Sequence, residues 1–154
     1  MVVVLLSMSL LSLWLQRDGG RPAGSGQAYY YDLSSGKLFS GPDDAIAPID
    51  APGGTGKGVR AFVYSCEGCD PDSLVVLKLQ AMTLEARRVI VTARTDPRMQ
   101  DALVDAIQHG VRVAAPPTSG QEPVWLRPES PDAAALAKAI ASHCGGQAPQ
   151  PCLP

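Results

Sequence analysis

Four cysteines restrict this chain more than any other feature. Two stand close together as Cys66-Glu67-Gly68-Cys69, and two lie near the end, Cys144 and Cys152. Such a set can close two disulfides, supply the four ligands of a zinc ion, or provide a reactive dithiol with two bystanders. Each option dictates which distant segments must meet. The rest of the composition says why a cross-link would help. Only 5% of the 154 residues are aromatic, while 15 Gly and 14 Pro favour loops, so the core is expected to be thin.

The dithiol reading has two points in its favour. Val59 to Tyr64 reads as a strand entering a thioredoxin-like motif, and the Gly110 to Thr118 segment, with Pro116 and Pro117, looks like the later strand and cis-proline of that fold. Against it, an activated thiol sits at a helix N-terminus, where the dipole stabilises the thiolate. Here Asp70-Pro71-Asp72 follows Cys69 and opposes it. A zinc site from Cys66, Cys69, Cys144 and Cys152 has the correct ligand count, but the spacing of its second half is long for a knuckle. Structural disulfides are the leading reading. A bond closing only Cys66 to Cys69 gains little chain entropy, so each is expected to pair with one of Cys144 and Cys152.

An oxidising location agrees with the start of the chain. Val2 to Leu15 is apolar apart from Ser7, Ser9 and Ser12, and ends in Trp14-Leu15-Gln16-Arg17-Asp18, an aromatic followed by charges as at a membrane interface. About 14 residues falls short of the roughly 20 that cross a bilayer. A cleaved signal would need a nearby small-residue cleavage site, and Gly26-Gln27-Ala28 lies too far downstream. Residues 1–18 are therefore expected to be a membrane anchor, with a cleaved signal or a buried core helix as alternatives. Residues 19–27, rich in Gly, are expected to be a flexible tether, and 28–154 the folded domain.

Within that domain, Tyr29 to Leu33 and Lys37 to Phe39 flank Ser34-Ser35-Gly36, which predicts a β-hairpin with Gly36 in the left-handed region. Tyr29, Tyr31 and Leu33 alternate onto one face and are expected to pack on the core. Gly41 to Gly58 reads as a long extended loop, then Val59 to Ser65 and Leu74 to Leu79 as strands. Residues 83–95 are open between helix and strand, because Val89-Ile90-Val91-Thr92 is β-branched. Asp96 and Pro97 open a helix with Met99, Ala102, Leu103, Ala106 and Ile107 on one face, stopped at Gly110. Val111 to Val113 and Val124 to Leu126 read as two more strands. Ser130-Pro131 opens a last helix placing Ala133, Leu136, Ile140 and Cys144 on one face. After Gly146 no pattern remains. The expected class is α+β: a small antiparallel sheet of hairpins covered by two or three helices.

Other motifs give no chemistry. The net charge of −2, without a basic run, leaves nucleic acid without an electrostatic footprint. Gly53 to Gly58 looks phosphate-binding but has Ala51 and Gly58 where a Walker loop needs Gly and Ser or Thr, so no nucleotide is expected. The tyrosines suit a sugar or peptide platform less well than a strand face. His109 and His143 have no nucleophile or carboxylate at a telling spacing, and neither a cofactor nor catalysis is expected.

Taken together, Tyr29 to Phe39, Gly58 to Cys69, Trp125 ahead of Ser130-Pro131, and the ending Cys144 to Pro154 resemble a group of small single-pass membrane-anchored proteins of planctomycete-type bacteria. The resemblance implies an anchor, a tyrosine-rich hairpin and a four-cysteine domain, and brings no activity, cofactor or ligand. The expectation is a non-enzymatic module tethered outside the cytoplasm, structural or binding an envelope protein partner.

Overall fold

The computed structural model describes residues 26–54, 57–118 and 121–154. The anchor expected at 1–18 and most of the tether lie outside them. Among the described residues no helix is long and apolar enough to cross a membrane.

The first two strands, β1 (Gln27–Asp32) and β2 (Lys37–Pro42), form the expected hairpin, with Asp32 opposite Lys37. Gly36 takes φ 69° and donates its N–H to Asp32 O at 2.8 Å, a conformation a side chain would strain. Gln27, assigned above to the tether, already pairs with Pro42. Central strand β3 (Gly58–Ser65) lies antiparallel to β1 on one side and to β4 (Val75–Met82) on the other. Its burial alternates because both faces of the sheet are occupied to different depths.

Of residues 83–95, Leu84–Ala93 form a helix. Thr83 accepts from Ala86 N and caps α1 (Leu84–Ala93), whose Ala86 and Ile90 are buried against Ala106 of α2 (Gln100–Gly110). The β-branched run therefore follows its tertiary contacts and its cap, not its local preference. Asp96 does accept an N–H, from Arg98 at 3.0 Å, but it caps a three-residue 3-10 turn, Pro97–Met99, that precedes α2. On α2 the expected apolar face is only partly used: Ala106 is buried and Leu103 packs beside it, whereas Ile107 is 48% exposed.

Strand β5 (Val111–Ala114) follows directly and pairs with β4. Val124 to Leu126, expected as a strand, makes one bridge, Leu126 to Val113. Pro116, Pro117 and Pro123 lack the N–H groups a longer ladder needs. Ser130 accepts from Ala133 N and caps α3 (Pro131–Ala141), after which β6 (Gln150–Cys152) emerges from the tail that showed no pattern. It lies beside the last part of β3, pairing Val63 with Cys152. The described residues thus form an α+β fold, a six-stranded antiparallel sheet ordered β2-β1-β3-β4-β5, with β6 beside β3, and three α-helices.

The two faces of the sheet differ. On one, Val59, Ala61, Val63, Leu79, Ala81, Ala114 and Cys152 are buried, and Tyr29, Tyr31, Leu33, Leu38, Leu74, Val76 and Trp125 pack against them. No helix residue belongs to this cluster. On the other, Tyr30 is fully buried beneath the 45–49 loop and its hydroxyl donates to Pro42 O at 2.6 Å, while α1 and α2 gather around Met82 and Ile46. Tyr30, between the two tyrosines expected on the core face, is therefore the deepest of the three. The 45–49 loop, expected only as an extended connection, closes a second small core there.

Candidate functional site

The four cysteines meet at one end of the sheet. Cys66 is bonded to Cys144 and Cys69 to Cys152, each with Cα atoms 5.5 Å apart, across 78 and 83 residues. Each sulfur of the Cys-x-x-Cys thus takes one C-terminal partner. The turn that presents them is tied internally: buried Ser65 donates its hydroxyl to Ser73 Oγ at 2.9 Å and accepts from Glu67 N, while Gly68 takes φ 119°. Ser73 in turn donates to Gly68 O.

This arrangement differs from the two alternative readings of the cysteines. With every sulfur in a bond, the four cysteines do not form a ligand set for zinc. Cys66 and Cys69 are not partners, and Cys69 is followed by a 3-10 turn of three residues, Pro71–Ser73, where an activated dithiol would need a helix N-terminus. The cis peptide among the described residues is Ala47-Pro48, not in 110–118. Cys144 also reaches Cys66 by another route than the helix face proposed for it. Helix α3 stops at Ala141, and Gly145 and Gly146, with φ 64° and 107°, reverse the chain just past Cys144. The bond is made from a turn, while the helix itself buries only Ala133.

The other singled-out residues stay apart from one another. His109 pairs with Asp105 at 3.0 Å on the exposed side of α2, and His143 is exposed. Of the glycine loop, residues 55–56 lie outside the described residues, and Ala51 accepts from Gly54 N in a plain turn. Tyr29 and Tyr31 are half-buried against the helix-free core.

Sequence reasoning missed a cleft of about 430 Å³ on the helix-free face. Val59 and Ala81 form its floor, Leu33 and Trp125 its apolar walls, and Lys57, Arg112 and Glu122 supply charge. Arg112 is held there by donating Nη1 to the carbonyls of His109 and Val111, both at 2.8 Å. Ala81 is the small strand residue in a lining that also holds Trp125. Its lining is drawn from separate segments around Leu33, Ala81, Arg112 and Trp125, so no spacing in the sequence signals the cleft. The lining converges small and apolar groups with a few charges, as binding sites do. It contains no nucleophile beside a base.

No protein family, curated protein or solved structure matches the chain.

Proposed function

We propose that this chain is a non-enzymatic binding module outside the cytoplasm, held at a membrane by residues 1–18 through the tether at 19–27. The observation that carries the proposal is the pairing of both Cys-x-x-Cys sulfurs with Cys144 and Cys152. Structural disulfides form and persist in oxidising compartments and are rare beside cytosolic reductants. The apolar run Val2 to Leu15 supports the anchor.

The tether's place supports the binding role. The chain enters β1 at Gln27, and the cleft lies beyond the other end of that strand, at Leu33 and Thr83. Six strand residues span about 20 Å. The cleft thus lies at the end of β1 remote from the point where the tether joins the domain.

The test is fractionation of cells producing the full chain, with thiol alkylation before and after reduction. Recovery in the membrane fraction, extraction by detergent but not by high salt, and four thiols that appear only after reduction is the expected result. Four thiols alkylated without reduction, in the soluble cytoplasmic fraction, would overturn it. A lone Cys66–Cys69 bond that exchanges with thioredoxin would establish the thiol-disulfide alternative instead.

A further inference from the structure

The helix-bearing face of the sheet is covered at its two sides and half-open along its middle. The 43–47 loop and α1 lie to one side, α3 to the other. Between them β3 and β4 present Arg60 beside Gln80 and Phe62 beside Lys78 as directly opposed pairs, with Tyr64 beyond. Hollows of about 270 and 310 Å³ lie at the Arg60–Gln80 and Tyr64–Lys78 ends. All five side chains are half-buried.

Their bonding is incomplete. Among the described residues neither Arg60 nor Lys78 forms an ion pair. Asp43, the one acid lining the two hollows, meets Arg60 Nη1 through its backbone carbonyl at 2.8 Å, which leaves other guanidinium donors over. Lys78 rests its ammonium over the Phe62 ring, 3.9 Å from the centroid. Partial burial lowers its pKa, the cost of a cation held without an anion.

We propose that this trough binds a carboxylated oligosaccharide, with its acid groups on Lys78 and Arg60, a sugar ring on Phe62, and hydroxyls on Gln80 and Tyr64. The proposal deepens the reading of the chain as an extracytoplasmic binding module and rests on it for the ligand's source. Two cations without anions call for a polyanion. Aromatic faces receive the C–H faces of sugar rings, and a carboxylate that draws Lys78 aside uncovers the Phe62 ring for that purpose. An acidic peptide fits less well. Acidic peptide motifs are held by clusters of arginine, and Arg60 is the one arginine lining the two hollows. Only side chains face the trough, and their types match a glycan.

The test is isothermal titration of the full, oxidised chain with trigalacturonate. Saturable binding that weakens with salt is expected. Lys78→Gln and Arg60→Gln should each weaken it about tenfold, and Phe62→Leu about fivefold. Lys37→Gln, exposed at the hairpin turn and outside both hollows, should leave it unchanged. Absence of binding, equal affinity for the neutral methyl ester, or equal affinity for hexaglutamate or inorganic phosphate would overturn the proposal. The location is decided separately. A chain found reduced in the cytoplasm that still binds trigalacturonate refutes the location, whereas an exported, oxidised chain that ignores it refutes the trough.

Discussion

The two ends of the sheet are closed by different means. At one end α3 buries a single residue, Ala133, and β6 has three residues of which Pro151 has no N–H to give. The Cys66–Cys144 and Cys69–Cys152 bonds fasten both to β3. At the other end α1 and α2 carry no cysteine and hold each other through Ala86, Ile90 and Ala106, close enough that Gly110 is needed beside Ala86. A chain with few aromatics can therefore fix helices by close approach of small residues, or by covalent bonds where the packing is too slight. The first method uses shape and the second chain entropy.

The largest effect expected from this contrast follows loss of the bonds. In the chain-entropy account, loops of 78 and 83 residues place each bond in the range of about 2–5 kcal/mol. The paired variant Cys66→Ser/Cys144→Ser, and likewise Cys69→Ser/Cys152→Ser, should lose that much in denaturant unfolding. Hydrogen exchange should show where. Amides of α3 and β6 are expected to lose protection while those of α1 and α2 keep theirs, and equal loss at both ends would break the contrast.

The second effect belongs to the shape-held end. A Cβ added at Gly110 would collide with the Ala86 Cβ, so Gly110→Ala should cost about 1–3 kcal/mol by overpacking. Ala86→Gly in the same chain should return part of the loss despite its own helix penalty. If the double variant is no more stable than expected from adding the single effects, the close approach is not what holds the hairpin.

The contrast also explains what could be read in the sequence. The Tyr29 to Phe39 hairpin was legible because its turn residues and strand alternation are local. That Cys66 and Cys69 each take a C-terminal partner was legible from loop-closure entropy, but not which partner each takes. Residues 83–95 were not, since Val89 to Thr92 favours a strand locally and becomes helix only when Ala86 and Ile90 meet Ala106. Strand β6 was illegible for the same kind of reason: nothing within Gln150–Cys152 makes a strand apart from the edge of β3 and the bond at Cys152. The cleft draws Leu33, Ala81, Arg112 and Trp125 from four separate segments, and no spacing could announce it.

A smaller effect compares the helix caps at the two ends. Thr83 Oγ1 accepts from Ala86 N at 3.3 Å, and Ser130 Oγ from Ala133 N at 3.2 Å. Replacement by Ala should cost about 1 kcal/mol in each case. What distinguishes them is the context. Helix α3 has little burial to support it, so Ser130→Ala should also quicken exchange along the whole helix, whereas Thr83→Ala should fray only the first turn of α1. The reverse pattern would mean that α3 is packed more firmly than its burial indicates.

The smallest effect tests the end without bonds by pH. Asp32, buried at the base of the hairpin turn, accepts from Ser35 Oγ at 2.6 Å and from Ser34 N at 2.9 Å. The Ser35 hydroxyl, and after it the Ser34 amide, holds its carboxyl below the ordinary carboxylate range, with burial opposing them. The sign follows from linkage. A carboxyl whose folded-state pKa is lowered adds stability above its unfolded value, and that contribution is lost as the pH falls through the folded value. Acid should therefore loosen the turn at Ser34 to Gly36 before it reaches the disulfide-closed end, where covalent bonds do not titrate in this range. Denaturant midpoints measured from pH 7 down through the carboxylate range should fall for the native chain and fall less for Asp32→Asn, which keeps the shape and removes the charge. Equal slopes for the two would show that other carboxylates govern the acid response, and the turn would lose its place as the pH-sensitive element of the unbonded end.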